Sequence, residues 1–183
     1  MLKSFCAPVP RWAEGRALER NGYGAMKRPT KTARELLDAK RSEVSGVVNV
    51  APSDTVLFSL KLMREKDIGA VIVLDNGKLA GILTERDYAR DVELEGRTAK
   101  DCLVQQIMTV REIICAKPGH SIQQCQALMR QHRVRHLPVC EDGRVIGVLS
   151  IRDVLEQIIA EEEHVIHELE TDRLVMTTDT GAY

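Results

Sequence analysis

Aromatic side chains are nearly missing from this chain: Phe, Tyr and Trp together make 3% of its 183 residues. Its core must therefore be aliphatic, and the base-stacking platforms that hold single-stranded nucleic acid are disfavoured. Long apolar runs are missing too. None approaches the roughly 18 residues that a membrane helix needs, so no membrane association is expected. The N-terminal segment has no continuous apolar stretch of the kind that a secretory signal requires. Its arginines suit an organellar leader, but Glu14 and Glu19 go against one. The five cysteines (Cys6, Cys102, Cys115, Cys125 and Cys140) are odd in number and form no CxxC pair. Three of them, Cys115, Cys125 and Cys140, lie inside apolar runs. They read as small, reduced core residues of a cytoplasmic protein. Catalytic signatures are also lacking. There is no Ser/His/Asp elbow, no Cys/His pair with a placed base and no Walker loop, so no enzymatic activity is expected.

Charge is unevenly spread. Residues 1–43 carry ten Lys/Arg and five Asp/Glu, whereas the rest carries sixteen and twenty-two. The acidic body argues against coating DNA, and no nucleic-acid partner is expected.

What the chain does have is a repetition. Residues 50–88 and 116–154 align at a constant offset of 66 without a gap, and ten of the 39 positions are identical. These include Pro52/Pro118, Leu62/Leu128, Gly77/Gly143, Gly81/Gly147, Arg86/Arg152 and Asp87/Asp153. A duplicated supersecondary unit fixes the architecture before any other signal does. In each copy a short strand (47–50; 113–116) leads through a proline turn into a helix (55–66; 121–132). Two strands follow (70–74 and 79–83; 137–140 and 145–149), joined by Asp75-Asn76-Gly77 and Glu141-Asp142-Gly143. Thr84 and Ser150 then open further helices, the second running towards residue 169. Residues 30–40 read as a preceding helix with an apolar stripe of Ala33, Leu36 and Leu37.

The expected fold class is α+β, with helices and strands mixed: two β-α-β-β-α repeats packed sheet to sheet about a pseudo-twofold axis. The expected division is a basic tail (1–28), an N-terminal helix and lead-in (29–43), repeat 1 (44–103), repeat 2 (104–160), and a C-terminal helix extension and tail (161–183).

The sharpest motif is Gly81-Ile82-Leu83-Thr84-Glu85-Arg86-Asp87 and its copy Gly147-Val148-Leu149-Ser150-Ile151-Arg152-Asp153. A hydroxyl residue followed three positions later by Asp is close to a capping box, which needs no ligand. An arginine before the Asp, at the positive end of a helix, also suits a phosphate. A carboxylate there suits ribose hydroxyls. Both readings stand at this point.

These motifs, with Arg135-His136-Leu137-Pro138-Val139 and Met108-Thr109, resemble a tandem pair of CBS (cystathionine-β-synthase) domains, the Bateman module. The resemblance covers about residues 32–170. It implies a stand-alone regulatory module that senses an adenine nucleotide such as AMP, ATP or NAD in clefts between the repeats, and that signals through altered packing. It also implies a homodimer acting on a regulated protein. Carried onto this chain, the first site comprises Thr84, Arg86, Asp87, Thr109, Ile114, Val134, Arg135 and His136. The second comprises Ser150, Arg152, Asp153, Val48, Ile68, Gly69 and Ala70. Arg135 and His136 face the first site where Gly69 and Ala70 face the second, so the first is expected to hold more phosphate charge. Glu43, which the offset places opposite Thr109, makes the second the poorer site. The alternative is an interaction scaffold whose nucleotide sites have degenerated.

Several single residues keep two readings. His164 and His167, beside Glu161, Glu162 and Glu163, suit a metal, but a solvated helix face accounts for them better, and no metal is expected. His136 is a phosphate contact or a half-buried strand residue. Thr109 also suits a cap or turn. Arg90 reaches a phosphate or pairs with Asp87 or Glu93. Arg64 and Arg130 snorkel from their helices.

Overall fold

Each repeat is organised around a tight hairpin, and the turn chemistry explains why. Asn76 and Gly77 have φ of +49° and +77°, and Asp142 and Gly143 have +48° and +76°. Two consecutive left-handed residues give the turn whose twist matches the flanking strands, and Asn, Asp and Gly adopt it at least cost. The turns join β2 (Ala70–Asp75) to β3 (Lys78–Thr84) and β4 (His136–Glu141) to β5 (Arg144–Ser150). The computed structural model describes residues 30–40, 46–111 and 113–178, with side chains through residue 171. The expected basic tail, Cys6 and Glu43 lie outside the described residues.

The duplication is visible in small irregularities. The ladders shift between Val73 and Leu74 and, 66 residues on, between Val139 and Cys140. The helix before each hairpin starts on a hydroxyl cap. Thr55 accepts from Phe58 ahead of α2 (Val56–Glu65), and Ser121 accepts from Gln124 ahead of α4 (Ile122–His132). Their buried faces, Val56 and Met63 in one and Ile122, Leu128 and Met129 in the other, fill two separate aliphatic cores. A third cluster joins the repeats: Ala70, Ile72 and Ile82 meet Val145 and Val148.

The strand expected at 113–116 is reduced to a single bridge, Ala116 to Val139. In repeat 1, β1 (Asn49–Val50) runs parallel to β2, and Ile72 N–H donates to Val48 O at 3.2 Å. Pro138 stands where Ile72 does. It has no N–H to give, so the ladder stops one bond short.

The helix before repeat 1 packs on repeat 2. Ahead of α1 (Ala33–Lys40), Lys31 O accepts from Ile122 N–H at 3.1 Å. Ala33 N–H then donates to His120 O at 2.8 Å and Arg34 N–H to Pro118 O at 3.0 Å. The segment before repeat 2 makes the same three bonds on repeat 1. Cys102 O accepts from Val56 N–H (2.9 Å), Val104 N–H donates to Asp54 O (2.9 Å) and Gln105 N–H donates to Pro52 O (3.0 Å). Here the offset is 71, not 66. Each repeat is thus completed by the lead-in of the other, with Leu36 and Leu37 entering the second core as Ile107 and Met108 enter the first.

Two helices leave the hairpins. α3 (Glu85–Tyr88) continues into a wide π-helical turn, Ala89–Glu93. α5 (Ile151–Thr178) has 28 residues, about 42 Å at 1.5 Å per residue. Val154 and Ile158 tie it to the second core. Further along, Ile159, Ile166 and Leu169 are exposed.

Candidate functional site

Both Gly-to-Asp motifs form the same structure at the point where a strand turns into a helix. Asp87 Oδ2 accepts from Thr84 N–H at 2.8 Å and from Thr84 Oγ1–H at 2.7 Å, while Asp87 N–H donates to Thr84 Oγ1 at 3.3 Å. Asp153 and Ser150 repeat this set at 2.6, 2.8 and 3.2 Å. The reciprocal cap settles orphan amides at each helix start. It also fixes each carboxylate through Oδ2 alone. Glu85 N–H donates to Gly69 O and Ile151 N–H to Arg135 O, which locks each helix start to the strand lead of its own repeat.

Between the repeats, residues assigned from the sequence to different sites come together. A Cβ added to Gly69 would lie 3.3 Å from Cε1 and Nε2 of His136 and 3.2 Å from Glu85 Oε2. Gly69 is therefore the space into which the His136 ring of the other repeat fits. This follows from the symmetry, because Gly69 and Ala70 correspond to Arg135 and His136 across the pseudo-twofold axis. Burial pushes the His136 imidazole below its usual range, and the cations of Arg135, Lys40 and Arg86 add to this. The Asp153 carboxylate opposes the shift. Arg86 from repeat 1 and Arg135 from repeat 2 thus act on one half-buried ring. An anion placed here would be drawn to both guanidiniums and would favour the charged imidazole.

The remaining first-site residues divide into two groups. Thr109 exchanges backbone hydrogen bonds with Ile82 at 2.9 and 3.1 Å, so it runs beside β3 two residues before Thr84. Ile114 and Val134 pack against the second core instead. Of the second-site residues, Val48 and Ile68 pack against the first core, and Ala70 lies in the cluster between the repeats. Arg86 and Arg152 are exposed. Arg90 makes no ion pair with Asp87 or Glu93 among the described residues, since Asp87 is held in its cap and Glu93 accepts from Tyr88 Oη at 2.8 Å.

The second motif differs from the first through a residue that the sequence did not single out. Lys40 Nζ, in the last turn of α1, donates to Asp153 Oδ2 at 2.7 Å. No lysine or arginine pairs with Asp87 among the described residues. Nothing local in the sequence couples Lys40 to a residue 113 positions away; only the exchange of lead-ins does. A shallow depression of about 210 Å³ lies there, lined by Leu36, Lys40, Asp153, Glu156 and Gln157. Among the described residues no three His, Cys, Asp or Glu side chains gather as a metal site would require. His164 Nε2 lies 3.2 Å from Glu168 Oε1, one turn along the exposed helix. No helix among the described residues is long and apolar enough to cross a membrane.

Residues 42–93 and 104–160 each match the family model of the CBS domain. The mitochondrial CBS domain-containing protein CBSX3 of Arabidopsis thaliana is 37% identical over 120 residues, covering 63% of this chain and 58% of that protein. The chain therefore spans a little over half the length of that relative. Among solved structures, a CBS-domain protein from Burkholderia ambifaria is 43% identical with a TM-score of 0.67, over 71% of this chain and 95% of that one. A CBS domain protein from Pyrobaculum aerophilum, solved complexed with AMP, shares the fold at 21% identity and a TM-score of 0.58, over 67% of this chain and 89% of that one.

Proposed function

The chain belongs to the CBS domain family, and from that premise we propose that its paired repeats form a regulatory module binding an adenine nucleotide such as AMP, ATP or NAD. The observation that carries this reading is the fit of the half-buried His136 ring of repeat 2 against Gly69 of repeat 1, where Arg86 and Arg135 from opposite repeats both act on it. Asp87 would hold ribose hydroxyls through the oxygen that the cap leaves open. Arg86, Arg135 and His136 would face the phosphates, and Thr109, Ile114 and Val134 would wall the base. AMP bound to a Pyrobaculum protein of the same fold supports an adenine ligand.

Signalling follows if the ligand binds one packing of the repeats better than another, because a ligand shifts only states it distinguishes. Nothing in this reading requires chemistry on the ligand. The exposed Ile159, Ile166 and Leu169 of α5 support an association surface, for which we propose a homodimer.

The test is thermal unfolding with AMP, ATP, NAD, S-adenosylmethionine and GTP. Saturation at 100 times the dissociation constant adds about 2.7 kcal/mol. A shift with an adenine nucleotide that Asp87→Ala abolishes and Asp153→Ala largely keeps is the expected result. No shift with any of the five would leave the interaction scaffold as the better reading.

A further inference from the structure

We propose that Lys40 is the resident occupant of the second cleft, so that this chain takes nucleotide at the first cleft and admits it at the second only when α1 releases Asp153. This rests on the nucleotide-binding reading of the clefts and adds that the two are unequal by construction.

The carboxylate that would receive ribose hydroxyls in the second cleft already has a cation on it. Lys40 Nζ is 2.7 Å from Asp153 Oδ2, and the Asp153 side chain is 12% exposed against 41% for Lys40. The bond is made to Oδ2, the oxygen that the cap also uses, so Lys40 obstructs the approach to Asp153 by the position of its ammonium rather than by taking the other oxygen. The helix that brings Lys40 there is fastened along its length. Ala33 and Arg34 are bonded to the backbone of His120 and Pro118, and Arg34 pairs with Glu141. Lys31 Nζ donates to Gln157 Oε1 at 3.0 Å. Leu37 closes against Gly147, where an added Cβ would meet its side chain at 2.6 Å.

Of the second-cleft residues Asp153 alone lines the depression on the α1 side, which is small and carries a further carboxylate. The depression beside Asp153 measures about 210 Å³, below the roughly 300–1,000 Å³ usual for ligand pockets. Leu36 and Lys40 of α1 form part of its wall, and Glu156 adds a carboxylate that repels phosphate. At the first cleft the corresponding lead-in is only a short turn, Val104–Gln106, followed by Met108 and Thr109. No lysine or arginine from it reaches Asp87 among the described residues.

The experiment is titration calorimetry of the full chain with ATP, AMP and NAD. Wild type, Asp87→Ala, Lys40→Met and the Asp87→Ala/Lys40→Met double variant are compared, with amide exchange of Ala33–Lys40 followed without ligand. The expected pattern is one site in wild type and two in Lys40→Met. The double variant should bind at least tenfold tighter than Asp87→Ala, and the last turn of α1 should exchange faster in Lys40→Met. If wild type binds but the double variant gains nothing over Asp87→Ala, the latch is wrong and the nucleotide reading survives. Weaker binding in Lys40→Met also overturns it, by making Lys40 a phosphate anchor. Unchanged exchange overturns it without any ligand. Faster exchange with no nucleotide bound by any variant would keep the latch and remove the nucleotide reading.

Discussion

Leu37 sits so close over Gly147 that a Cβ on the glycine would lie 2.6 Å from Leu37 Cδ2 and 2.7 Å from Cδ1. Gly81 stands in the same relation to Met108, at 2.8 Å from its sulfur and 3.0 Å from the Thr109 carbonyl. The two glycines that mark the repeat are therefore the seats for the exchanged lead-ins.

Adding one methyl at Gly147 should force α1 away from β5. Overpacking of this kind costs about 1–3 kcal/mol, so Gly147→Ala is expected to lower the unfolding free energy read from urea denaturation by that much and to speed amide exchange in α1. Gly119 provides the control, since nothing lies within 4 Å of its added Cβ. Gly119→Ala should match wild type or gain up to about 1 kcal/mol through the unfolded chain. Equal losses in both variants would show that Leu37 does not close on Gly147.

Much of this arrangement was legible in the sequence, and the hidden part has a definite cause. Identities at offset 66 located both hairpins, and Asn76-Gly77 and Asp142-Gly143 named their turns. Thr84/Asp87 and Ser150/Asp153 gave the caps, since those contacts are local. The exchange of lead-ins was not legible. Residues 31–37 and 102–108 match at offset 71 and share no identical residue, only apolar character at Ala33/Val104, Leu36/Ile107 and Leu37/Met108. The sequence also separated Gly69 and His136 into two sites, because a twofold axis brings together what a linear alignment keeps apart. The lost strand at 113–116 could have been anticipated from Pro138, whose missing N–H matters only once its partner is known to be residue 114.

That lost ladder bond can be moved between the copies. Ile72→Pro removes the donor to the Val48 carbonyl from a central strand and truncates a fully buried side chain, so it should cost about 3 kcal/mol or more, read from denaturant unfolding. Pro138→Ile should supply the missing donor to Ile114 and give residue 138 a slowly exchanging amide. An unprotected amide at 138 would mean that something other than the proline ends the strand.

The cap and the ligand roles of Asp87 can be separated by one atom. Asp87→Asn keeps an oxygen that can accept from Thr84 N–H and Oγ1–H, but it removes the charge. Its stability without ligand should stay within about 0.5 kcal/mol of wild type, while its affinity for the adenine nucleotide should fall at least tenfold. If affinity is retained, the carboxylate serves the helix alone.

His136 makes the central contact pH-dependent, and the sign is fixed by its surroundings. Burial and the Arg135, Lys40 and Arg86 cations hold its folded pKa below the ordinary 6.5. Between those two values the unfolded chain binds more protons, so stability falls as pH drops below about 6.5 and levels off once the folded imidazole also protonates. His120, lowered by burial and Lys117, adds a loss of the same sign. Urea midpoints at pH 7.5 and 5.5 should therefore differ more in wild type than in His136→Gln, which keeps only the His120 part. A bound phosphate reverses the balance at this ring, because an anion between Arg86 and Arg135 favours the imidazolium. Nucleotide affinity should then rise as pH is lowered from 7.5 to 6, and that rise should disappear in His136→Gln. A pH-independent affinity in wild type would move the phosphate away from His136 and leave the ring as packing against Gly69.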